Sequence, residues 1–355
     1  MHLKRSKLIN KIISPPSKEF LSLLLNASGV LITPHEGPDG DAVASSVALS
    51  LILEKKDIPC IILSSDKKTF TKEFTRLKSL LSPNVKPEIR FTAKEIKDLL
   101  GNNPVHVYTD CSQKNRIGVI LNDIISEGII CNPYTNTTAI DHHEKPDEFV
   151  TLFTDKDSPS TGNMMFVLAK ALNIDISGDI AKAIYYAMAS DTDNFRHLTS
   201  NDSQTFKDAA VCVEGGAIPG VVYSALHAGR PFESLEYLEK VLKNIKSLLG
   251  NKVIIALDDK QMFKRYGREI RPSQIIYDLL LSINEAELIV YLKYKENENE
   301  IEGSMRVSPS SGWKAHEIAY DVALGGGHEK AAGFTFKGTM EEAYDKLCKE
   351  IKRRA

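Results

Sequence analysis

The feature that most constrains this chain is a repetition. VLIT runs into HEGPDGD, VHVYT into Asp110, TTAI into DHH, and IYYAMAS into DTD, so four successive apolar segments end in acid or imidazole. VLIT, CIIL, VHVYT and TTAI are brief, rich in β-branched residues and bounded by polar or turn residues, the pattern of strands buried on both faces. Helical spacing fills 42–55 and 162–172, and Thr161 stands where an N-cap is expected. Strands alternating with helices predict an α/β fold, a largely parallel sheet flanked by helices. In an open α/β sheet the carboxyl ends of the strands border the ligand crevice, so the four segment ends are expected to meet there.

At roughly 150 residues per domain the chain has room for two domains. From 203 to 249 the pattern is almost wholly helical, with LEYLEKVLKNIKSLL repeating apolar residues at three- and four-residue steps, and a helical connector is expected. A second, smaller α/β pattern follows. It consists of NKVIIAL, a helix opening near Pro272 and Ser273, and ELIVYLKY and EIEGSMRVS as a hairpin around the polar loop KENENE. The last helix places Met340, Ala343, Leu347 and Ile351 on one face, and its basic tail KEIKRRA complements the helix dipole. The expected divisions are an extension over 1–24, a first α/β domain over 25–202, the connector over 203–249 and a second domain over 250–355.

Lys and Arg total 45 against 47 Asp and Glu. No global basic field holds long duplex DNA, so a polyanionic partner must be short or met by a local basic patch. The five cysteines, Cys60, Cys111, Cys131, Cys212 and Cys348, are odd in number and never in a C-x-x-C pair. They read as reduced thiols of a cytoplasmic protein. The basic start MHLKRSKLINKIISPPSKEF is interrupted by Asn10, Lys11 and Pro15, unlike a secretory signal. No run approaches the ~18 to 20 apolar residues of a membrane span, so no membrane partner is expected.

Taken singly, each cluster has an ordinary reading. Pro-Asp-Gly is a turn signal, and an Asp or a His pair at a segment end caps or fills a polar turn. Taken jointly those readings fail. Converging Asp39, Asp41, Asp110 and Asp191 would repel by about 4 kcal/mol per pair at ~4 Å and an effective dielectric of ~20, so the cluster calls for cations. Two divalent ions balance four carboxylates, and the imidazoles complete an oxygen and nitrogen set that suits Mn, and less exclusively Fe, Co or Zn. No cysteine belongs to the set, which argues against a structural zinc. Cys111 has no base partner in the sequence and is read as structural.

The order HEGPDGDAVASS, VHVYTD, IDHH and SDTDNFR resembles the four motifs of the DHH phosphoesterases over about 25–200, and GSMRVS with LGGGHEKAAGF resembles the DHH-associated C-terminal domain. The resemblance implies a hydrolase with two divalent ions, Mn first, with Mg and Co also admissible. It implies one ion on His35, Asp39 and Asp110 and a second on Asp41, Asp110, His142 and Asp191, with Asp110 bridging. His143 then faces the substrate phosphate, and Asp141 orients the histidine pair. Asp193 stands where the family usually has Gly, and Asn163 where related sequences often have an acid. Both bear on substrate preference.

In the second domain, Gly325, Gly326 and Gly327 let backbone N–H groups approach an anion, and the residues from His328 onward read as a helix start. Arg306, Ser308 and His328 are candidate ligands for the far end of a short substrate. Arg116 and Arg196 either contact phosphate or pair with surplus carboxylates. The nearest pattern within the family is that of stand-alone bacterial oligoribonucleases and phosphoadenosine phosphate phosphatases. It implies removal of 5' nucleotides from very short RNA (nanoRNA) and dephosphorylation of 3'-phosphoadenosine 5'-phosphate to AMP, with substrate clamped between the domains. The alternatives are a cyclic di-AMP or pApA phosphodiesterase and a nucleotide-binding regulator without turnover. A homodimer is among the assemblies the sequence allows.

Overall fold

The computed structural model describes residues 12–85, 93–101, 104–117, 136–143, 146–147, 151–227, 229–268, 270–295 and 299–355. Cys131, the loop tip 296–298 and the basic start 1–11 lie outside them. The chain packs as two units, Met1–Ala228 and Gly229–Ala355, each with its own sheet and core.

In the first unit the brief apolar runs become β1 (Gly29–Pro34), β2 (Cys60–Ile62), β3 (Pro104–Thr109), β4 (Thr137–Asp141) and β5 (Phe153–Thr154). They form a wholly parallel sheet in the order β2-β1-β3-β4-β5. Every residue of β1 is buried, because side chains of both parities meet apolar cover: Val30 and Ile32 enter one cluster and Leu31 the opposite one. Each such aliphatic side chain contributes about 1.5–3 kcal/mol on burial. The chain leaves β1 for β2 on one side and returns to β3 on the other, so β1 and β3 flank the point where strand order reverses.

The helix Gly40–Glu54 that follows β1 is small or apolar on nearly every side, as a helix buried all round must be. Helices Thr161–Ala171 and Gly178–Asp191 pack with it. Glycine is required at 162: a Cβ there would meet Ala187 Cβ at 2.6 Å and Met188 N at 2.8 Å. The N-cap of Thr161–Ala171 is Ser160 rather than the expected Thr161; the Ser160 side chain accepts from the Asn163 N–H, which frees Thr161 for other contacts.

The second unit holds a six-stranded mixed sheet in the order β10-β11-β9-β8-β7-β6. Its strands are β6 (Lys246–Leu248), β7 (Val253–Leu257), β8 (Leu288–Tyr294), β9 (Glu300–Val307), β10 (Gly326–Gly327) and β11 (Ala331–Lys337). β8 and β9 form the expected antiparallel pair. Along β9 Ile301, Met305 and Val307 face Ala343, Leu347 and Ile351 of the helix Met340–Arg354, while Tyr291, Ile289 and Tyr277 build a cluster on the opposite face of the sheet.

Two expectations fail here. LEYLEKVLKNIKSLL is not one helix: it ends at Lys243, and Lys246–Leu248 pairs with β7. The turn Leu249, Gly250, Asn251 lies wholly at positive φ and folds that strand back, which local apolar spacing does not reveal. Nor does a helix begin at His328. Residues 328–330 turn the chain and Ala331–Lys337 is a seven-residue strand on β9, so pairing across the sheet overrides the helix-compatible composition of HEKAA. The described cysteines Cys60, Cys111, Cys212 and Cys348 are free thiols.

Candidate active site

The carboxyl ends of β1, β3 and β4 supply the polar residues. His35 follows β1, Asp39 caps the helix Gly40–Glu54 by accepting from the Ala42 N–H, and Asp41 lies in its first turn. Asp110 follows β3 at φ 59, a left-handed conformation that Asp tolerates better than most side chains. Its N–H continues the ladder to Ile140 O at 2.9 Å. Asp141 ends β4, with His142 and His143 next, and Asp191 is the last residue of the helix Gly178–Asp191.

These positions converge. Ligand-capable atoms of His35, Asp39 and Asp110 lie within 4.8 Å of one another, as do those of Asp41, His142 and Asp191, and those of Asp110, His142 and His143. Asp110 presents Oδ2 at 3.6 Å from His35 Nε2 and Oδ1 at 3.4 Å from His142 Nε2, so it lies between the two triads. His142 Nε2 is also 3.5 Å from Asp191 Oδ2.

The histidine tautomers follow from their other nitrogens. His35 Nδ1 donates to the Glu36 carbonyl at 2.9 Å and His142 Nδ1 to the Ser158 carbonyl at 3.1 Å, so each ring is fixed with Nε2 towards the carboxylates, where either a proton or, in its place, a cation can sit. His143 Nδ1 donates to Asp141 Oδ1 at 2.7 Å, while Ser112 donates to Asp141 Oδ2 at 2.6 Å. Asp141 therefore fixes the His143 ring. Ordered imidazoles whose Nε2 atoms face buried carboxylates are a donor set for divalent cations once those nitrogens release their protons.

The DHH family N-terminal domain model matches residues 29–188, and the DHHA1 domain model matches 236–355. The chain belongs to the DHH family. Its members among these relatives are phosphoesterases, and this chain is an enzyme of that class. It is 23% identical over 326 residues to the bifunctional oligoribonuclease and PAP phosphatase NrnA of Thermus thermophilus, covering 91% of this chain and 89% of the relative. An exopolyphosphatase-related protein from Bacteroides fragilis shares the fold, with a TM-score of 0.77, 22% identity and coverage of 94% of this chain and 95% of that one. RecJ of Thermus thermophilus, solved with Mn2+, shares it at TM-score 0.52 and 14% identity, covering 98% of this chain and 56% of that one. Among the described residues no single helix is long and apolar enough to cross a membrane.

The electrostatics of this DHH cluster follow from crowding. Burial first, then the facing Asp110 and Asp191 carboxylates, push Asp41 well above the usual range, although it accepts three hydrogen bonds. Burial, with Asp110 and Asp39, pushes Asp191 up to about 6. Burial also acts to raise Asp110, but the facing His142 and His35 imidazoles outweigh that and hold it low. His142 moves the other way: burial opposes its charge, and Asp110 and Asp41 carry it up to about 10. Protons gather where carboxylates crowd, at the positions where cations would serve the same end. Cys111 is buried, its thiol donates to the Gln113 carbonyl, and burial raises it to about 11, so it is no nucleophile.

Sequence reasoning missed the groups that hold the candidate ligands and their neighbours: Ser45, Ser112, the Ser158 carbonyl and, beyond a capping role, Thr161. Only Ser45 left a signal, standing four residues after Asp41 on one helix face and donating to its Oδ1 at 2.8 Å. Asp193 has φ 49, which accounts for glycine as the usual residue there, and it pairs with Arg196. Asn163 is buried, with Ser160 and Thr205 on its amide. Arg116 lies in the turn Lys114–Ile117, and its carbonyl accepts the Glu36 N–H at 2.6 Å.

In the second unit, the Gly325 N–H donates to Ala319 O at the end of the helix Ala315–Ala323, and the His328 N–H to Ala331 O. Gly326 and Gly327 pair with Gly333 and Ala332. Of the three glycines only Gly326 has open space where a Cβ would stand. The Arg306 guanidinium lies 4.9 Å over the Tyr277 ring and donates to Met305 O, and the Ser308 N–H donates to Glu287 O.

Proposed function

We propose that this enzyme hydrolyses the phosphate esters of short nucleotides, releasing 5' nucleotides from very short oligoribonucleotides and converting 3'-phosphoadenosine 5'-phosphate to AMP. The observation that carries this reading is the pair of triads meeting at Asp110. His35, Asp39 and Asp110 would hold one divalent cation and Asp41, Asp110, His142 and Asp191 the other, Mn2+ first. Similarity to an oligoribonuclease and PAP phosphatase along most of both chains supports the substrate class.

When bound, two such cations acidify water and neutralise phosphoryl oxygens. The chain supplies the rest. His35 and His142 donate Nδ1–H to carbonyls, which fixes each ring with Nε2 towards the site, where a cation would take the place of the Nε2 proton. His143, held by Asp141 through Nδ1, turns its Nε2 away from that carboxylate, and in the doubly protonated form that nitrogen would donate to a phosphate oxygen or the departing oxygen. In the second unit, Arg306, Ser308 and the hairpin 325–328 are the groups we assign to nucleotide binding. Arg116 adds a cation beside the β3 end, whereas Arg196 is occupied by Asp193.

The test offers the full chain, with Mn2+, a dinucleotide, a 5-mer, 3'-phosphoadenosine 5'-phosphate and cyclic di-AMP side by side. Turnover of the dinucleotide and 3'-phosphoadenosine 5'-phosphate above that of cyclic di-AMP is expected. Preference for cyclic di-AMP would replace the substrate, and binding without hydrolysis of any would make the chain a nucleotide-binding regulator.

A further inference from the structure

Thr161 is fully buried and opens the helix Thr161–Ala171. Its peptide N–H donates to Asp41 Oδ2 at 2.8 Å, and its hydroxyl donates to Asp110 Oδ1 at 2.8 Å. The neighbouring Gly162 N–H reaches Asp41 Oδ1 at 3.0 Å. Asp41 rides on the helix after β1 and Asp110 on the end of β3, so one residue of a third element ties together the two carboxylates that belong to different triads. Capping does not explain the hydroxyl's position, because Ser160 already caps this helix.

The terminal torsion of an aspartate is soft, so the backbone at Asp110 does not determine which way its two oxygens point. Each oxygen offers two lone-pair directions. A hydroxyl donor engages one of those on Oδ1 and leaves the other towards His142, 3.4 Å away, while Oδ2 stays towards His35 at 3.6 Å. We propose that Thr161 is a positioning residue that sets the rotation of Asp110, so that one carboxylate oxygen serves each cation. This rests on the two-cation reading above.

The test compares full-length Thr161→Val, which removes the hydroxyl but keeps the shape and the N–H to Asp41, with Thr161→Ser, which keeps the hydroxyl. Thr161→Ala takes the place of the valine chain if that chain does not fold. Calorimetric Mn2+ titration and the electron paramagnetic resonance spectrum of an exchange-coupled Mn2+ pair are the readouts. In the unmodified chain a coupled pair is expected. Thr161→Val should weaken Mn2+ binding about 10- to 100-fold, the usual loss when a group supporting a metal ligand is removed, and abolish or alter the coupling. Thr161→Ser should restore both. A valine variant with unmodified affinity and coupling overturns the role of Thr161, and so does a serine variant as impaired as the valine one, since packing of the methyl group would then decide. An unmodified chain without a coupled pair overturns the two-cation reading itself.

Discussion

Asp110 turns its two oxygens towards different imidazoles, 3.6 Å from His35 and 3.4 Å from His142, and no other carboxylate of the cluster stands between the triads. Asp110→Ala is therefore expected to be the most damaging ligand change, weakening Mn2+ at both sites of a calorimetric titration; one lost site beside an intact one would contradict the bridge. Asp191 sets a pH dependence. Burial and the facing carboxylates push its carboxyl from the ordinary value of about 3.8 up to about 6, so the metal-free folded chain binds a proton in that window that the unfolded chain does not. Its effect on metal-free stability is thus unfavourable above the folded value and is relieved as pH falls. A cation must displace that proton. Mn2+ affinity is expected to fall, with proton release on binding, as pH drops through about 6. An affinity unchanged between about pH 8 and about pH 5 would count against it.

Elements meet closely where the site is assembled. The helix Thr161–Ala171 reaches the acidic cluster with its first two N–H groups only because Gly162 lets it lie against Ala187 and Met188. Gly162→Ala forces a methyl group into backbone and is expected to destabilise the first unit by about 1–3 kcal/mol, the range for overpacking a filled core. Mn2+ affinity should fall with it, since the Thr161 and Gly162 donors are displaced together. Thermal melting of the metal-free and Mn2+-loaded chain checks this, and an unchanged transition would show that the crossing relaxes without cost.

At the scale of the whole molecule, the second unit contributes a glycine hairpin whose middle residue alone has room for a side chain. Gly326→Val leaves every candidate metal ligand untouched and places its Cβ where no atom lies within 4 Å, so folding and metal content should be preserved. Hydrolysis of a dinucleotide or 3'-phosphoadenosine 5'-phosphate should slow far more than that of bis-p-nitrophenyl phosphate, because remote contacts help only substrates long enough to make them. Equal loss on both, with metal content intact, would tell against a substrate role for the hairpin. Unchanged nucleotide turnover would remove it from the site.

Four of the five strands of the parallel sheet, all but Phe153–Thr154, were legible as unbroken apolar runs, because burial on both faces demands them, and the parallel crossovers bring the carboxyl ends of β1, β3 and β4 together. The candidates His35, Asp39, Asp41, Asp110 and His142 follow those strand ends, whereas Asp191 ends a helix, and the fold brings all six into one cluster. Tertiary structure decided what one segment's own pattern does not contain. The helix expected after His328 is a strand because β9 offers its edge to Ala331–Lys337. The 246–248 segment left its helix for β7 through a turn at positive φ. Thr161, which locally reads as a cap, donates instead to carboxylates 120 and 51 residues away in the chain, a partnership that exists only once the three elements have packed. Periodicity reports which face of a segment is buried; it does not report which distant polar atom awaits it there.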